Sequence, residues 1–330
     1  MGGELRRKAF VTGAGGFIGS HLVETLLARK WKVKALVHYH SCSSRGWLQN
    51  INVQHPNHLE VIFGDIRDPY QMKNCIEGCD VVFHLAALIG IPYSYVALNS
   101  YYETNVLGTL NVAKAALDNL VKRFIHTSTS EVYGTAQYTP IDEDHHLQGQ
   151  SPYSASKIGA DKLIESFVHS FDFPATIIRP FNTYGPHQSV RAVIPSIILQ
   201  AQKRNEVSLG LLEPVRDLTY VSDTVNGLIA AAEAEKAIGR VLNLGTNHAV
   251  SIEELAKMIF QILHVSPKIV QDQQRIRPPH SEVMKLISNN SLAKKILDWE
   301  PKVPLFEGLN RTIEWIDKHR DSYLSMDYAL

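Results

Sequence analysis

The segment TGAGGFIG (12–19) is the feature that most constrains what this chain can fold into. It follows a short β-prone apolar run, KAFVT (8–12), and leads into FIGSHLVETLLARKW (17–31), whose apolar residues recur at helical spacing. Three glycines of the turn are spaced three residues apart: Gly13, Gly16 and Gly19. Glycine permits a positive φ and a close backbone approach to a phosphate, and a helix N-terminus attracts that anion. A strand, a glycine turn and a helix in this order predict a dinucleotide-binding unit.

Apolar runs alternate with helical patterns through the first half of the chain. Further strands are expected at VKALVH (33–38), LEVIFGD (59–65), VVFHLAA (81–87), RFIHTST (123–129) and ATIIRP (175–180). Helices are expected between them, notably at 101–120 and 151–171. Because these strands are apolar throughout, both faces of their sheet should be covered. This pattern indicates an α/β fold with a doubly wound parallel sheet.

The chain of 330 residues is longer than one small core requires, so a second unit is expected. We predict a Rossmann-like dinucleotide-binding domain over residues 1–180 and about 236–249, where VLNLG returns to the sheet. Residues 181–235 and 250–330 contain more proline and glycine, with strands and helices in less regular order. They are predicted to form a smaller, mixed C-terminal lobe that binds the substrate.

The composition argues against several classes of partner and location. Lys plus Arg and Asp plus Glu number 33 each, so the charge indicates neither nucleic acid nor a membrane surface as partner. The three cysteines are too few for a disulfide framework and form no zinc pattern. The N-terminal residues lack the apolar stretch of a signal peptide, and no run is long enough to cross a bilayer. We therefore expect a cytoplasmic protein without a bound metal.

The segment YSASK places Tyr153 and Lys157 four residues apart, on one face of an expected helix. The ordinary pKa of tyrosine is about 10, too high for a base at neutral pH. A lysine ammonium one turn away, with a bound nicotinamide cation, would favour the phenolate. The phenolate could then take a proton from a substrate hydroxyl while hydride leaves the same carbon. Hydroxyls from TSTSEVYG (127–134), at the end of the fifth strand, can bind the same oxygen.

Nine segments carry a family resemblance, in order, over nearly the whole chain: TGAGGFIGSHL, DIRD, HLAA, NVLGTLNV, STSEVYG, YSASK, RPFNTYGP, RDLTYVSD and NLGT. The chain resembles the extended short-chain dehydrogenase/reductases that act on nucleotide sugars. The resemblance implies that Thr129, Tyr153 and Lys157 form the redox triad. It also implies that five residues contact the nucleotide sugar: Ser128, Asn182, Val193, Arg216 and Arg277.

The same resemblance, together with the positions of the strand ends, assigns residues to a tightly bound NAD or NADP that is recycled in each turnover. These residues are Gly13, Gly16, Phe17, Ile18, Gly19, His38, Ser43, Arg45, Asp65, Ile66, Leu85, Ala86, Ala87, Thr127, Tyr153, Lys157 and Pro180. An NAD site usually has an acid at the end of the second strand, which binds the adenosine ribose. Here VHYHSCSSRG (37–46) contains no Asp or Glu, and its basic and hydroxyl side chains favour the 2′-phosphate of NADP.

Four reactions share this scaffold: 4-epimerisation, 4,6-dehydration, decarboxylation of a glucuronate and simple reduction. Glu131, just past the triad threonine, is suited to remove the proton on C5, which a simple epimerase does not need. In many 4,6-dehydratases an aspartate precedes this glutamate, whereas this chain has Ser130. A Ser-Glu pair also occurs in UDP-glucuronate decarboxylases, which need a cation for the sugar carboxylate. Arg275, Arg277 and Lys285 are the candidates for that cation.

The longer context is most similar to the NAD-dependent 4,6-dehydratases of the legionaminic acid pathway, which act on an N-acetylglucosamine nucleotide. The similarity lies in residues 127–163 and in the segments RPFNTYGPHQSVRAVIP and HYHSCSSRGWLQNI. It implies a lyase that oxidises C4, deprotonates C5, expels water from C6 and returns the hydride to C6. The catalytic residues implied are Thr129, Ser130, Glu131, Tyr153 and Lys157. Either Glu131 or a water held by Ser130 would deliver the proton to the leaving hydroxyl.

The helices expected at 101–120 and 151–171 carry more apolar surface than one sheet face covers. We therefore expect a homodimer held by a four-helix contact, which the resemblance also implies. Burial of these faces within one subunit is the alternative.

Overall fold

The computed structural model describes residues 7–41, 44–51 and 56–324. Its strands, in chain order, are β1 (Lys8–Thr12), β2 (Lys32–His38), β3 (Leu59–Gly64), β4 (Val81–His84), β5 (Arg123–Thr127), β6 (Ala175–Pro180), β7 (Asn182–Tyr184), β8 (Glu206–Leu209), β9 (Val215–Tyr220), β10 (Val241–Leu244), β11 (Ala249–Ser251), β12 (Lys268–Gln271) and β13 (Lys285–Leu286). Its helices are α1 (Phe17–Ala28), α2 (Pro69–Ile76), α3 (Ile91–Ser94), α4 (Leu98–Tyr102), α5 (Gly108–Asp118), α6 (Pro152–Phe171), α7 (Val193–Ala201), α8 (Val221–Glu233), α9 (Ile252–Leu263), α10 (Ser291–Leu297), α11 (Leu305–Lys318) and α12 (Arg320–Leu324).

Seven strands form one parallel sheet in the order β10-β6-β5-β4-β1-β2-β3. From β1 the chain first adds β2 and β3 on one side, and then adds β4, β5, β6 and β10 on the other side. The strand order therefore reverses between β1 and β4, and ligands of such sheets bind beyond the strand ends at this point. The predicted α/β fold with a doubly wound parallel sheet is confirmed.

Neighbouring residues of each central strand point to opposite faces of the sheet and enter two different cores. On one face, Val11, Phe83 and Ile125 pack with α1 and α8. On the other face, Phe10 and Phe124 pack with α2, α5 and α6. Both faces are covered by helices, which explains why these strands are apolar along their whole length.

The second half of the chain supplies two smaller sheets. In one, β9 lies between β11 and β13 and also pairs with β7; in the other, β8 pairs with β12. Although α8 lies in the part of the chain assigned to the C-terminal lobe, it packs beside α1 on the large sheet. The division into a cofactor domain and a substrate lobe stays a prediction.

Strands β4 and β5 end two or three residues earlier than the sequence predicted. The strand expected at 81–87 ends at His84, and the strand expected at 123–129 ends at Thr127. The residues that follow leave the ladder beyond the sheet edge. These segments lie at the sheet edge where ligands of such folds bind.

Two helices also differ from the prediction. In place of one helix over 101–120, a π-helical turn at Glu103–Leu107 connects α4 and α5. The first helix ends at Ala28 because Lys30, with a φ of 63°, adopts the left-handed conformation that terminates helices. None of the helices within the described ranges has both the length and the apolar character needed to cross a membrane.

Candidate active site

The glycine turn after β1 lies against the segment that follows β4. Gly13 has a φ of 68°, in the left-handed region that favours glycine. A Cβ on Gly13 would lie 2.9 Å from the Ala86 backbone nitrogen, and one on Gly19 would lie 2.2 Å from the Gly13 oxygen. Side chains at these glycines would fill the space beside the backbone of Gly13, Gly16 and Gly19, which is called the cradle below. Gly16 is the N-cap of α1, so the cradle ends at a helix N-terminus, a geometry that fits a pyrophosphate.

Other predicted cofactor residues surround this cradle. Phe17 and Ile18 form the first turn of α1 and are half-buried. Thr12, which the sequence did not single out, accepts hydrogen bonds from the backbone N–H groups of Leu85 and Ala86, both at 3.0 Å. These bonds fix the half-buried segment that comprises Leu85, Ala86 and Ala87.

Asp65 follows β3 at the side where the adenosine is expected. Arg67 donates hydrogen bonds to both oxygens of the Asp65 carboxylate at 2.6 to 3.1 Å, and His38 Nδ1 lies 3.9 Å from it. The bonds from Arg67 hold the pKa of Asp65 below its ordinary value, against the raising effect of partial burial. Ile66 is buried next to this pair. The carboxylate is thus ionised and already bound by a guanidinium.

The loop after β2 packs on the glycine turn. A Cβ on Gly15 would lie 2.8 Å from the backbone oxygen of Arg45. The side chains of Arg45 and His38 are exposed, whereas the predicted Ser43 lies outside the described residues. Basic side chains, and no carboxylate, come from the described part of this loop.

The hydroxyl-rich segment after β5 turns sharply at the sheet edge. The backbone N–H of Ser128 still donates to Ile178 O at 2.7 Å. Thr129 Oγ1 then accepts a hydrogen bond from the Glu131 backbone N–H at 3.2 Å, at the start of the 3-10 turn Ser130–Tyr133. Ser130 and Glu131 are only 2% and 8% exposed. The turn therefore holds a carboxylate in a nearly buried position beside the strand end.

Helix α6 brings Tyr153 and Lys157 to the same edge. Its start is fixed by a capping box in which the side chains of Ser151 and Ser154 each accept from the other's backbone N–H. One turn later, Lys157 Nζ donates to the Thr127 backbone oxygen at 2.8 Å. This bond ties the helix to the end of β5.

Burial dominates the protonation of both side chains. It raises the pKa of Tyr153, with an opposing hydrogen bond to Thr129 and a further raising effect from the charge of Glu131. Burial also lowers the pKa of Lys157 to about 8, and the charge of Asp161 opposes this shift. The protein groups alone therefore do not produce the predicted lowering of the Tyr153 pKa, because burial of the phenol outweighs its polar neighbours.

A buried polar network, absent from the sequence predictions, lies behind Lys157. Asp161, one turn further along α6, accepts hydrogen bonds from Arg179 at 3.1 and 3.0 Å and lies 3.3 Å from His126 Nε2. Arg179 also donates to the Tyr133 hydroxyl at 3.1 Å. Burial would raise the pKa of Asp161, but His126 and Arg179 hold it below its ordinary value. The four-residue spacing from Lys157 was the signal that could have revealed Asp161.

The two predicted substrate arginines meet at a glutamate that the sequence did not single out. Arg216, on β9, donates to Glu282 Oε1 at 3.0 Å, and Arg277 donates to the same oxygen at 3.4 Å. Arg216 is 8% exposed, and burial lowers its pKa, whereas the charges of Glu131 and Glu282 oppose this. Arg216 therefore lies within electrostatic reach of Glu131, which links the second half of the chain to the segment after β5.

Among the predicted residues, Thr127 Oγ1 and Asn182 Oδ1 are buried polar atoms without a hydrogen-bond partner within the described ranges. The buried side chain of Ser128 differs, because its hydrogen bond helps to lower the pKa of Asp161. Buried polar atoms are rarely left unpaired in native proteins, so a bound ligand is a natural partner. Pro180 is buried at the end of β6, close in sequence to Asn182, and Val193 is half-buried at the start of α7.

The other cations considered for a sugar carboxylate are placed differently. Arg275 donates to Asp272 Oδ2 and Ser196 Oγ, both at 3.2 Å, and Lys285 is exposed on β13. In the part of the chain that the structure describes, no three His, Cys, Asp or Glu side chains are grouped as metal ligands would be.

The family model described as "GDP-mannose 4,6 dehydratase" matches residues 10–312. Similar proteins include dTDP-D-glucose 4,6-dehydratase of Mus musculus, 30% identical over 340 residues, with 99% of this chain and 94% of that protein covered. UDP-N-acetyl-alpha-D-glucosaminuronate decarboxylase of Bacillus cytotoxicus is 32% identical over 322 residues, with 94% and 98% covered. Among solved structures, dTDP-glucose 4,6-dehydratase DesIV from Streptomyces venezuelae, with NAD and TYD bound, gives a TM-score of 0.88 at 27% identity, with 97% of this chain and 100% of that chain covered. The similarity thus extends over nearly the whole chain.

Proposed function

The chain belongs to the extended short-chain dehydrogenase/reductase family of nucleotide-sugar dehydratases, decarboxylases and epimerases, and we propose that this enzyme is a nucleotide-sugar 4,6-dehydratase, a lyase. The observation that carries the proposal is the place of Glu131. Its side chain is nearly buried and lies within electrostatic reach of both Tyr153 and Arg216. A dehydratase needs such a base to remove the C5 proton, whereas a simple epimerase has no such step.

The cradle after β1 fits a dinucleotide, because it consists of bare backbone at a helix N-terminus. Bound there, NAD would supply the hydride acceptor for C4 and the hydride donor for C6. Gly13, Gly16 and Gly19 would hold the pyrophosphate, with Tyr153 and Lys157 on the nicotinamide side. The solved relative DesIV contains NAD, which supports this assignment.

Tyr153 would take the proton of the C4 hydroxyl, and Thr129 would bind the same oxygen. Because burial raises the pKa of Tyr153, proton transfer depends on positive charge nearby. Lys157 would provide that charge, and its bond to the Thr127 oxygen holds it beside the end of β5.

Glu131 would act after C4 has become a ketone, which makes the C5 proton acidic. Glu131 removes that proton, and the C6 hydroxyl leaves as water with a proton from Glu131 or from a water held by Ser130. C6 then gains a hydride, and C5 regains a proton that balances the one lost from the C4 hydroxyl. The product is a 4-keto-6-deoxy sugar, and the net change is the loss of one water.

We propose UDP- or GDP-N-acetylglucosamine as the substrate, as in the legionaminic acid pathway. The sequence resemblance over residues 127–163 supports this choice. Arg216 and Arg277 converge on one point and would bind a diphosphate, since guanidinium groups bind two oxygens at once. The other substrate contacts proposed are Ser128, Asn182 and Val193.

A UDP-sugar decarboxylase is the second candidate. Ser130 before Glu131 favours it, and a decarboxylase is among the similar proteins. It would need a cation for the sugar carboxylate. Of the three candidates, Arg275 donates to Asp272, Arg277 donates to Glu282 and Lys285 is exposed on β13.

Incubation with UDP- and GDP-N-acetylglucosamine, followed by mass spectrometry, tests the proposal. A product lighter than the substrate by one water supports the dehydratase. An unchanged mass with inverted C4 would establish an epimerase, and release of carbon dioxide from a UDP-glucuronate would establish the decarboxylase.

Glu131→Gln tests the residue that carries the proposal. We expect turnover to be lost, because the amide cannot remove the C5 proton, while cofactor binding is retained. Glu143→Gln is the matched control, since Glu143 is a partly buried carboxylate that accepts a hydrogen bond from the Asn243 backbone at 2.7 Å. Dehydration by the Glu131→Gln variant at the wild-type rate would show that Glu131 is not the base.

The identity of the cofactor, NAD or NADP, is a separate part of the proposal. The basic side chains of His38 and Arg45 support a 2′-phosphate, whereas the relative with bound NAD supports NAD. Mass spectrometry of the nucleotide released on denaturing the purified protein distinguishes the two.

We also propose a cytoplasmic homodimer that contacts its partner subunit through α4, α5 and α6. Large exposed apolar side chains support such a contact: Leu98, Tyr102 and Leu107 on or between α4 and α5, and Phe171 at the end of α6. The free thiols of Cys75 and Cys79 fit a reducing compartment. Size-exclusion chromatography with light scattering measures the subunit number.

A further inference from the structure

Aromatic rings from distant parts of the chain form a cluster. Its members include His21, Trp47, His187, Trp315, His319 and Tyr323. His187 stacks with His21 at a centroid distance of 4.3 Å and with Trp47 at 4.4 Å, the latter nearly parallel at 6°. Trp315 meets His187 edge-on at 4.7 Å, and His319 stacks on Trp315 at 3.7 Å. The proposed reaction uses none of these rings.

Trp47 attaches this aromatic cluster to the glycine turn. Its backbone N–H donates to Gly15 O at 3.0 Å. Gly46 before it has a φ of 58°, and a Cβ there would lie 2.2 Å from the same Gly15 oxygen. The 3-10 turn Gly46–Asn50 therefore lies in direct contact with the backbone that forms the proposed cofactor cradle.

His187 ties the cluster to helix α1 behind the cradle. Its Nδ1 lies 2.8 Å from Ser20 Oγ, and His21 Nε2 lies 3.0 Å from Pro186 O. Burial, together with the neighbouring charges of His21 and His319, lowers the pKa of His187 to about 3. The ring is thus neutral at physiological pH, which suits close stacking with Trp47.

The C-terminal helices close the cluster from the other side. Trp315 of α11 approaches Trp47 at a centroid distance of 6.2 Å, and Tyr323 of α12 approaches it at 6.0 Å. Tyr323 is 1% exposed although it lies near the end of the described chain. Trp315 of α11 and Tyr323 of α12 therefore contact the turn Gly46–Asn50, next to the glycine turn.

We propose that α11 and α12 brace the turn Gly46–Asn50, with Trp315 and Tyr323 as positioning residues that hold Trp47 against the glycine turn and so retain the cofactor. This inference rests on the proposed function, because it takes the cradle to hold NAD or NADP. Retention matters for a reaction that returns the hydride to the same sugar, since a cofactor lost between the two transfers would leave the turnover unfinished.

Trp315→Ala in the full chain tests the brace. We expect the dissociation constant of the dinucleotide to rise about tenfold, within the usual range of coupling between two sites. Trp315→Phe should restore most of the affinity because it keeps an aromatic ring in the cluster. Phe306→Ala is the control, since Phe306 lies on the same helix but is 49% exposed. Titration of nucleotide-free protein with NAD and with NADP, without any nucleotide sugar, measures these constants independently of the reaction catalysed.

Activity gives a second readout that a purely structural role would not produce. Excess dinucleotide should restore the kcat of Trp315→Ala, because the acid–base residues are untouched. Wild-type affinity in a folded Trp315→Ala variant, or a kcat that excess dinucleotide does not restore, would overturn the brace. If Trp315→Ala does not fold, Tyr323→Ala is expected to weaken dinucleotide binding in the same direction. Wild-type protein that has been freed of copurified nucleotide and then binds neither dinucleotide would overturn the cofactor assignment as well as the brace.

Discussion

The two sides of the candidate site are built in different ways. Beside the end of β5, Lys157 is tied to the backbone oxygen of Thr127, and Tyr153 follows the capped start of α6. On the C-terminal side, Arg216 and Arg277 share one oxygen of Glu282. Regular backbone thus positions the proposed acid–base chemistry, whereas side-chain ion pairs position the proposed nucleotide contacts.

This difference determines how each side should respond to substitution. On the α6 side, a conservative change removes a chemical group and leaves the backbone frame in place. On the C-terminal side, loss of one partner from a buried ion pair leaves the other charge uncompensated. We therefore expect variants of the first side to change mainly kcat, and variants of the second to change mainly KM.

The largest effect is expected for Tyr153→Phe. The ring keeps its buried place and only the hydroxyl is lost, so kcat should fall by about 10²–10⁴-fold, the usual contribution of a general acid–base group. Calorimetric titration should show nearly unchanged nucleotide-sugar binding. Tyr101→Phe is the control, because Tyr101 packs edge-on against Tyr153 with ring centroids 6.3 Å apart and its hydroxyl bonds the Gly90 oxygen. Equal losses of kcat in both variants would contradict a specific role for the Tyr153 hydroxyl.

Lys157→Met should lower kcat by about 10²-fold and favour folding more at pH 7 than at pH 10. Burial lowers the pKa of Lys157 from 10.5 to about 8, so between these values the unfolded chain binds the proton more tightly than the folded protein. Stability therefore rises as the pH increases through this window, and at pH 7 the buried ammonium is a net cost. Methionine carries no such proton, so the advantage of the variant should shrink toward pH 10.

Urea unfolding at both pH values checks this expectation. Lys162→Met is the control, because Lys162 lies on the same helix but is exposed and pairs with Glu165. A stability advantage of Lys157→Met that is equal at pH 7 and pH 10 would contradict the buried, easily deprotonated amine.

Arg277→Gln tests the C-terminal side of the site. A hydrogen bond to a charged group contributes about 1.5–3 kcal/mol, which corresponds to about 10–100-fold in binding. The KM for the nucleotide sugar should rise by this factor while kcat changes little. Arg275→Gln is the control, since Arg275 is bound by Asp272 and Ser196. A fall in kcat with unchanged KM would show that Arg277 acts in the chemical step rather than in nucleotide binding. That result would contradict the contrast between the two sides of the site.

The same contrast explains what the sequence could predict. The large sheet, the glycine turn and the helix with Tyr153 and Lys157 follow from local signals. These are the apolar runs, the spacing of the glycines and the four-residue spacing of Tyr153 and Lys157. Their relative placement then follows from the parallel sheet, because the ends of β1, β4 and β5 lie at one edge.

The remaining features depend on contacts between residues far apart in the chain. Glu282 meets Arg216 from 66 positions away, and Arg179 reaches Tyr133 across 46. No local pattern encodes such pairs. Spacing also suggested that Lys157 lowers the pKa of Tyr153, but burial, which only the folded structure reveals, acts in the opposite direction.

Ser130→Ala is expected to have the smallest effect and refines the proposed chemistry. If Glu131 itself returns the proton to the leaving hydroxyl, loss of the Ser130 hydroxyl should lower kcat by less than about tenfold, below the usual contribution of an acid–base group. If a water held by Ser130 delivers that proton, the loss should approach about 10²-fold.

Ser156→Ala measures the general cost of deleting a buried hydroxyl, because Ser156 bonds the Tyr153 backbone oxygen at 2.7 Å and Asn105 at 2.9 Å. A kcat for Ser130→Ala that matches this control would leave both proton transfers to Glu131. The side of the site built on regular backbone would then perform the dehydration with one carboxylate, where an Asp-Glu pair uses two. A loss well beyond the control would instead make the buried turn after β5, and the water it orders, part of the acid–base machinery.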